Sequence, residues 1–244
     1  MLRRIIVTAF AAFAFAPVGI ATTYFIDTQP DPFVPGQACE KPTLGSWGSY
    51  IYDAPSKYDL VFAPETEALW LARCETSGFV SLGGDMAQLT AAERKRIESY
   101  LKTVDGPGII KAAAGNFTDD LLVHLERLYA LRDMNAAFRV YFERYLAWQY
   151  GSRPSANVHR RKALDLYYKM PAGRWLKSKD DLERLYILGF YARKLGNLAE
   201  STGYFRELEG AWTFEFSTAK YLRTLAREVE AGKADDNVRF AKGT

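Results

Sequence analysis

Residues 181–208 read DLERLYILGFYARKLGNLAESTGYFREL. Apolar residues recur here at helical spacing on both sides of Gly196-Asn197, so the stretch predicts two helices joined by a tight turn. Gly189 and Ser201 are small and would let the two helices approach closely, with Ala192 beside them. Gly196 would supply the positive φ of the turn. Tyr191, Phe205 and Leu208 would then fill the groove between the helices.

The order Leu188-Gly189, Ala192, Gly196-Asn197, Ser201, Phe205, Leu208 has the spacing of a tetratricopeptide repeat. A plain helical hairpin that carries small residues at these places by coincidence is the alternative. Repeats of this kind bury their faces only against neighbours, so at least three helix pairs are expected. Working outward, helices are predicted near 118–132, 134–150, 157–170, 179–195, 198–210 and 215–231. Phe138 to Trp148 and Ala163 to Met170 are amphipathic but fit the repeat poorly. Thr90-Ala91-Ala92-Glu93 is a capping box that opens a further helix to about Thr103, and Gly106-Pro107-Gly108 is read as a break. Thr118 caps the next helix, with Asp119 and Asp120 in its first turn. The fold class expected is α+β, mostly α: a small N-terminal β section, then an antiparallel helical array of tetratricopeptide type over residues 88–232 and a tail over 233–244.

Residues 1–26 point to the compartment. Arg3 and Arg4 precede an uncharged run from Ile5 to Ile26, the pattern of an export signal. Gly19-Ile20-Ala21 offers small residues for cleavage after Ala21. The same run is long enough to stay as an inner-membrane anchor through residues 5–26, and both readings stand. Either one places the chain from Asp27 onward in the periplasm or otherwise outside the cytoplasm. Residues 27–37, with Pro30, Pro32, Pro35 and Gly36, read as a stiff linker.

Residues 38–87 form the expected β section. Short runs at Ser49 to Asp53, Tyr58 to Ala63, Ala68 to Arg73 and Phe79 to Leu82 suggest a meander. Cys39 and Cys74, the two thiols of the chain, both fall in it. In an oxidising compartment an isolated pair reads as a disulfide. Two buried free thiols are the alternative; a lipid anchor would need a cysteine directly after the signal, and Cys39 is too far downstream.

Cys39-Glu40-Lys41-Pro42, the later LARCETSGF, the helix LTAAERKRI and the repeat RLYILGFYARKLGNLAESTGYF together resemble the bacterial family called domain of unknown function 2225. That family joins a zinc-ribbon-like start, with two C-x-x-C motifs, to tetratricopeptide-like helices. The resemblance would cover about residues 38–231. It departs at the metal ligands: Pro42 and Ser77 stand where second cysteines belong. Two cysteines with no nearby histidine cannot close a four-ligand zinc site. The resemblance therefore implies a lost metal with a Cys39–Cys74 bridge in its place, and it carries a fold without an activity.

The chain has 244 residues and a net charge of +3. That weak basic excess argues against a nucleic-acid partner. Charge is nevertheless segregated, net −6 over 27–87 and net +6 over 151–180. Arg153, Arg160, Arg161, Lys162, Lys169, Arg174 and Lys177 define an expected basic face for an anionic partner: lipid headgroups, an acidic polysaccharide or an acidic protein. A solvated face that balances the acidic section is the bland alternative. Tyr167, Tyr168 and Trp175 lie among these bases and at helical spacing read more readily as core than as sugar platforms.

No G-x-S-x-G, P-loop or H-E-x-x-H sequence is present. His124, between apolar neighbours, reads as a packing histidine, and His159, beside Arg160 and Arg161, as a surface residue with its charge depressed. No catalytic residue, metal or cofactor is expected. The function expected is an exported, non-enzymatic interaction or scaffold module of the cell envelope with a protein partner. The alternative is a carbohydrate- or peptidoglycan-acting enzyme or a glycan-binding protein, with Glu65, Glu67 and Asp85 as its acids. Asn116-Phe117-Thr118 has the form of a glycosylation acceptor, though a helix cap explains Thr118 equally well.

Overall fold

The computed structural model describes residues 23–46, 58–61, 71–83, 85, 88–171 and 177–234. The fold is α+β, mostly α: a small antiparallel sheet followed by eight helices among the described residues. Residues 1–22, with most of the expected signal or anchor, lie outside them, as do 47–57, 62–70, 172–176 and the end of the tail. No helix among the described residues is long and apolar enough to cross a membrane.

The sheet is a meander of β1 (Thr23–Pro30), β2 (Ala38–Ser46), β3 (Leu71–Arg73) and β4 (Val80–Leu82), paired in chain order. The expected linker at 27–37 is corrected here. Its first residues finish β1, where Asp27 pairs with Lys41 and Gln29 with Cys39. The remainder is the hairpin loop. Asp31 organises it: its backbone N–H donates to Gln37 O, and its Oδ1 accepts from Phe33 N and Val34 N. Proline had signalled a turn rather than a spacer. Strands β3 and β4 fall within two expected runs, whereas Tyr58–Val61 turns and pairs with no strand. Ser49 to Asp53 lies outside the described residues.

Cys39 on β2 and Cys74, just past β3, are joined in a disulfide, and both are fully buried. The bridge ties neighbouring strands whose own pairing is short, Glu40 opposite Arg73.

The helices are α1 (Ala91–Leu101), α2 (Gly106–Ala113), α3 (Asp119–Ala130), α4 (Ala136–Tyr150), α5 (Pro154–Lys169), α6 (Lys179–Lys194), α7 (Leu198–Gly210) and α8 (Phe216–Glu230). The caps are those the sequence announces. Thr90 and Glu93 form the reciprocal box, and Thr118 Oγ1 accepts from Leu121 N. At Gly106-Pro107-Gly108 the expected break is a helix start. Asp105 caps it through Gly108 N, and a proline in the first turn has no intrahelical donor to lose. Gly106 also crosses Gly78 so tightly that a Cβ there would lie 2.8 Å from Gly78 Cα.

Two apolar cores share α4. The sheet and α1–α3 pack on Phe142, Tyr145, Leu146 and Tyr150, while α5–α8 pack on Val140 and Ala147. A helix that serves two cores needs apolar residues on two sides, and α4 has them, with Arg139 left exposed. The sheet is fastened to the helices by polar contacts: Leu82 N donates to Tyr129 Oη, whose hydroxyl donates to Asp85, which also pairs with Arg132.

Reduction of Cys39–Cys74, which closes a separation of 35 residues, should lower stability by about 3–4 kcal/mol. Urea unfolding with and without a phosphine reductant measures this; coincident midpoints would mean that the sheet is held by the helices alone.

Candidate functional site

The hairpin of α6 and α7 is built as its small residues predicted. A Cβ on Gly189 would lie 2.4 Å from the Phe205 ring, so the two helices meet at a contact that excludes any side chain. Ala192, Ser201 and Phe205 are buried at the same seam, and Gly196 turns the chain with φ +86°.

The expected basic face does not assemble as one surface. Helix α5 buries Ala156, His159, Arg160, Ala163, Leu164 and Tyr167, an i, i+3, i+4 stripe that takes Arg160 inward. Arg160 is 2% exposed, lies over the Phe190 ring, and its Nε is 3.7 Å from Asp59 Oδ1. Arg153 pairs with Asp119 and donates to Tyr150 O. Lys177 pairs with Glu207 at 3.2 Å. Arg161, Lys162 and Lys169 are exposed, and Arg174 lies outside the described residues. Of the aromatics among them, Tyr167 is buried and Tyr168 exposed, and Trp175 lies outside the described residues.

His159 is corrected from surface to core. Its Nδ1 is 2.7 Å from Glu143 Oε2 and its Nε2 3.2 Å from Glu126 Oε1, and its ring stacks on Tyr150. Burial alone would lower its pKa, but the two carboxylates outweigh burial and raise it. Glu126 is lowered in turn: burial opposes its charge, while His159, the Tyr150 hydroxyl and Lys162 favour it. The expected depression of the His159 charge by Arg160 and Arg161 is thus corrected to a net rise in its pKa. Glu126, Glu143 and Lys162 also line a groove of about 710 Å³ between α3, α4 and α5. His124 is the packing histidine expected. It is buried, with Nε2 2.7 Å from Gly78 O and Nδ1 3.1 Å from Tyr100 Oη, and burial lowers its pKa.

Asp85, one of the candidate acids, is committed to Arg132 and Tyr129. Glu65 and Glu67 lie outside the described residues. Among the described residues, Asp31, Cys39 and Cys74 are the one grouping with metal-ligand atoms close together, and both sulfurs are spent on the disulfide.

Two features went unread in the sequence. The first is a set of polar contacts around Tyr58–Val61, all four residues being buried. Arg144 of α4 donates to Asp59 O through Nε at 3.1 Å and Nη2 at 2.7 Å, to Glu183 Oε1 of α6 at 2.6 Å, and to Tyr167 Oη of α5 at 3.3 Å. Burial works against its charge, yet Tyr167, Glu183 and Tyr191 hold its pKa above the ordinary guanidinium value. Tyr58 donates to Glu228 Oε2 of α8 at 2.9 Å and packs on Phe190 of α6. Alternate helices α4, α6 and α8 thus share one segment. Arg144, on the buried side of α4 between Phe142 and Tyr145, was the available signal.

The second feature is the loop from α7 to α8. Trp212, Phe214 and Phe216 are 64%, 69% and 72% exposed. Thr213 between them is buried, its hydroxyl donating to Lys177 O, and Lys177 N donates to Trp212 O. The backbone is pinned while the rings face water. Their alternation in AWTFEF was the signal.

No family model matches the chain, and no curated protein or solved structure matches it either.

Replacing Arg144 by Met should cost about 3–5 kcal/mol, because Glu183 and the Asp59 carbonyl would be left buried without a donor. A loss under about 1 kcal/mol in urea unfolding would mean that water replaces the guanidinium. The His159 cluster sets a pH dependence. A raised imidazole pKa contributes stability fully below the ordinary value of 6.5, and this is lost as pH rises through the raised value. Wild-type protein should therefore weaken as pH rises above 6.5, and H159Q should be weaker than wild type below that value and lack this decline. A parallel decline in both would assign the dependence elsewhere.

Proposed function

We propose that this chain is an exported, non-enzymatic interaction module of the cell envelope, holding a protein partner on its helical array. One observation carries the reading: three large aromatics, Trp212 and Phe214 on the α7–α8 loop and Phe216 at the start of α8, are held in water around a Thr213 that is buried and hydrogen-bonded. Exposing such a cluster costs solvation free energy, and clusters of this kind mark contact surfaces. The Cys39–Cys74 disulfide supports an oxidising compartment, as does the charged and apolar pattern of residues 3–26. The close α6–α7 seam supports an array of tetratricopeptide type, a fold that serves as a platform for other chains. The sequence motifs absent from the chain leave the carbohydrate-acting alternative without a catalytic set to argue from.

Arg161, Lys162 and Lys169 are the exposed bases of the expected face among the described residues, and the aromatic cluster takes precedence over them in this reading. The test is affinity capture from gently solubilised envelopes, comparing wild type with the W212A/F214A/F216A variant at low and high salt. A stoichiometric partner retained by wild type and lost by a folded variant is expected, at both salts, because the contact is apolar. Equal capture by both proteins would remove the loop as the contact. Loss of the partner at high salt alone would return the assignment to the basic residues.

A further inference from the structure

Tyr58–Val61 is four consecutive residues, each 7% exposed or less, turning through a bed of helices rather than joining a strand. Its contacts are those of a bound peptide. The Asp59 carbonyl is held by a forked guanidinium, which reads main chain and not side chain. Its carboxylate faces Arg160. The Tyr58 ring lies against Phe190 and its hydroxyl reaches Glu228. Val61 packs with the α5–α8 core, while Leu60 packs with the sheet-side core. Three alternate helices and α5 supply these contacts, so the segment spans the array rather than belonging to one hairpin.

The hydrogen bonding of the bed is incomplete. The hydroxyls of Tyr186 and Tyr191 on α6 are fully buried and have no hydrogen-bond partner among the described residues. Both lie near enough to Asp59 to feel its charge. A buried hydroxyl without an acceptor is costly. The bed thus holds two unused donors beside a segment whose carboxylate faces Arg160, while Arg144 already has Glu183 as its counter-ion.

We infer that Tyr58–Val61 occupies in cis a peptide-binding groove formed by α4, α5, α6 and α8, and that this groove takes from a protein partner an acidic segment in which an aromatic residue precedes a carboxylate and an aliphatic pair. This deepens the interaction reading proposed above and rests on it. The cis segment keeps the groove closed until a competing segment displaces it. A better competitor brings an additional acceptor for Tyr186 and Tyr191.

The probe is a labelled synthetic peptide, PSKYDLVFAP, the sequence of residues 55–64. It is titrated by fluorescence anisotropy against the full chain and against its Y58A/V61A variant, in which the cis segment is weakened. The variant should bind at least tenfold more tightly than wild type, and the Asp-to-Asn peptide at least tenfold more weakly than the Asp peptide. No binding to a folded variant overturns the inference. Amide hydrogen exchange on the wild-type chain keeps the question decidable if the variant does not fold. Residues 58–61 should exchange faster than the cores of α4 and α6, by an opening smaller than global unfolding. Exchange only at the global rate would make the segment permanent core and overturn the inference. Dependence of envelope capture on Trp212, Phe214 and Phe216 with no peptide binding would leave the interaction module standing and remove the groove alone.

Discussion

A single guanidinium at the centre of the array joins α4 to α5, α6 and the turn at Asp59. Arg144 sits on a helix that both cores share, and it bonds the turn at Asp59, the α5 hydroxyl of Tyr167 and the α6 carboxylate of Glu183. A planar fork with several donors can satisfy several acceptors in fixed directions, which a lysine ammonium cannot do. Those directions set how α5 and α6 stand against α4. Breaking one partner away would leave a buried charge or carbonyl exposed to an apolar interior, so each contact protects the others. Satisfied networks of this kind specify one arrangement even where an apolar replacement would pack as well.

The second junction works by the same chemistry, and it adds a proton. His159 is clamped between carboxylates from α3 and α4, so the cation it becomes is neutralised on both sides. The sheet, by contrast, is joined covalently at Cys39–Cys74 and polar-bonded through Tyr129 and Asp85. The N-terminal half is thus fastened to α3 and α4, while α6, α7 and α8 are held chiefly by close packing, at its tightest between Gly189 and Phe205. The half built by packing is the one that carries both the aromatic loop and most of the bed around Tyr58.

The helices were legible because their ends are written in side-chain chemistry. Thr90 with Glu93, Thr118, and Gly196 after Leu195 each satisfy or release specific backbone groups, and the local sequence suffices to say so. The linker at 27–37 was misread because proline marks a turn as readily as a spacer; strand pairing across Asp27 and Lys41 is a long-range fact. Arg160 and His159 were assigned to the surface by residue type. Their positions between Ala156 and Ala163 already put them on the buried stripe, so helical period was the better guide. Their partners, Asp59 and the pair Glu126 and Glu143, come from other elements and could not be named from α5 alone.

The sequence by itself determined the class of fold, nearly all the helix boundaries and the small residues of the α6–α7 seam, and it favoured the pairing of the two cysteines. Each of these is decided by a local rule: a cap, a period, a residue too small to obstruct, or an even number of thiols. Tertiary structure alone decided by which groups the buried charges are met, because neutralising a buried charge requires groups brought from distant parts of the chain. It also decided that Tyr58–Val61 lies in the bed of the helices and that Trp212, Phe214 and Phe216 face water. Exposure and occupancy belong to the assembled surface, and no stretch of the chain encodes them on its own.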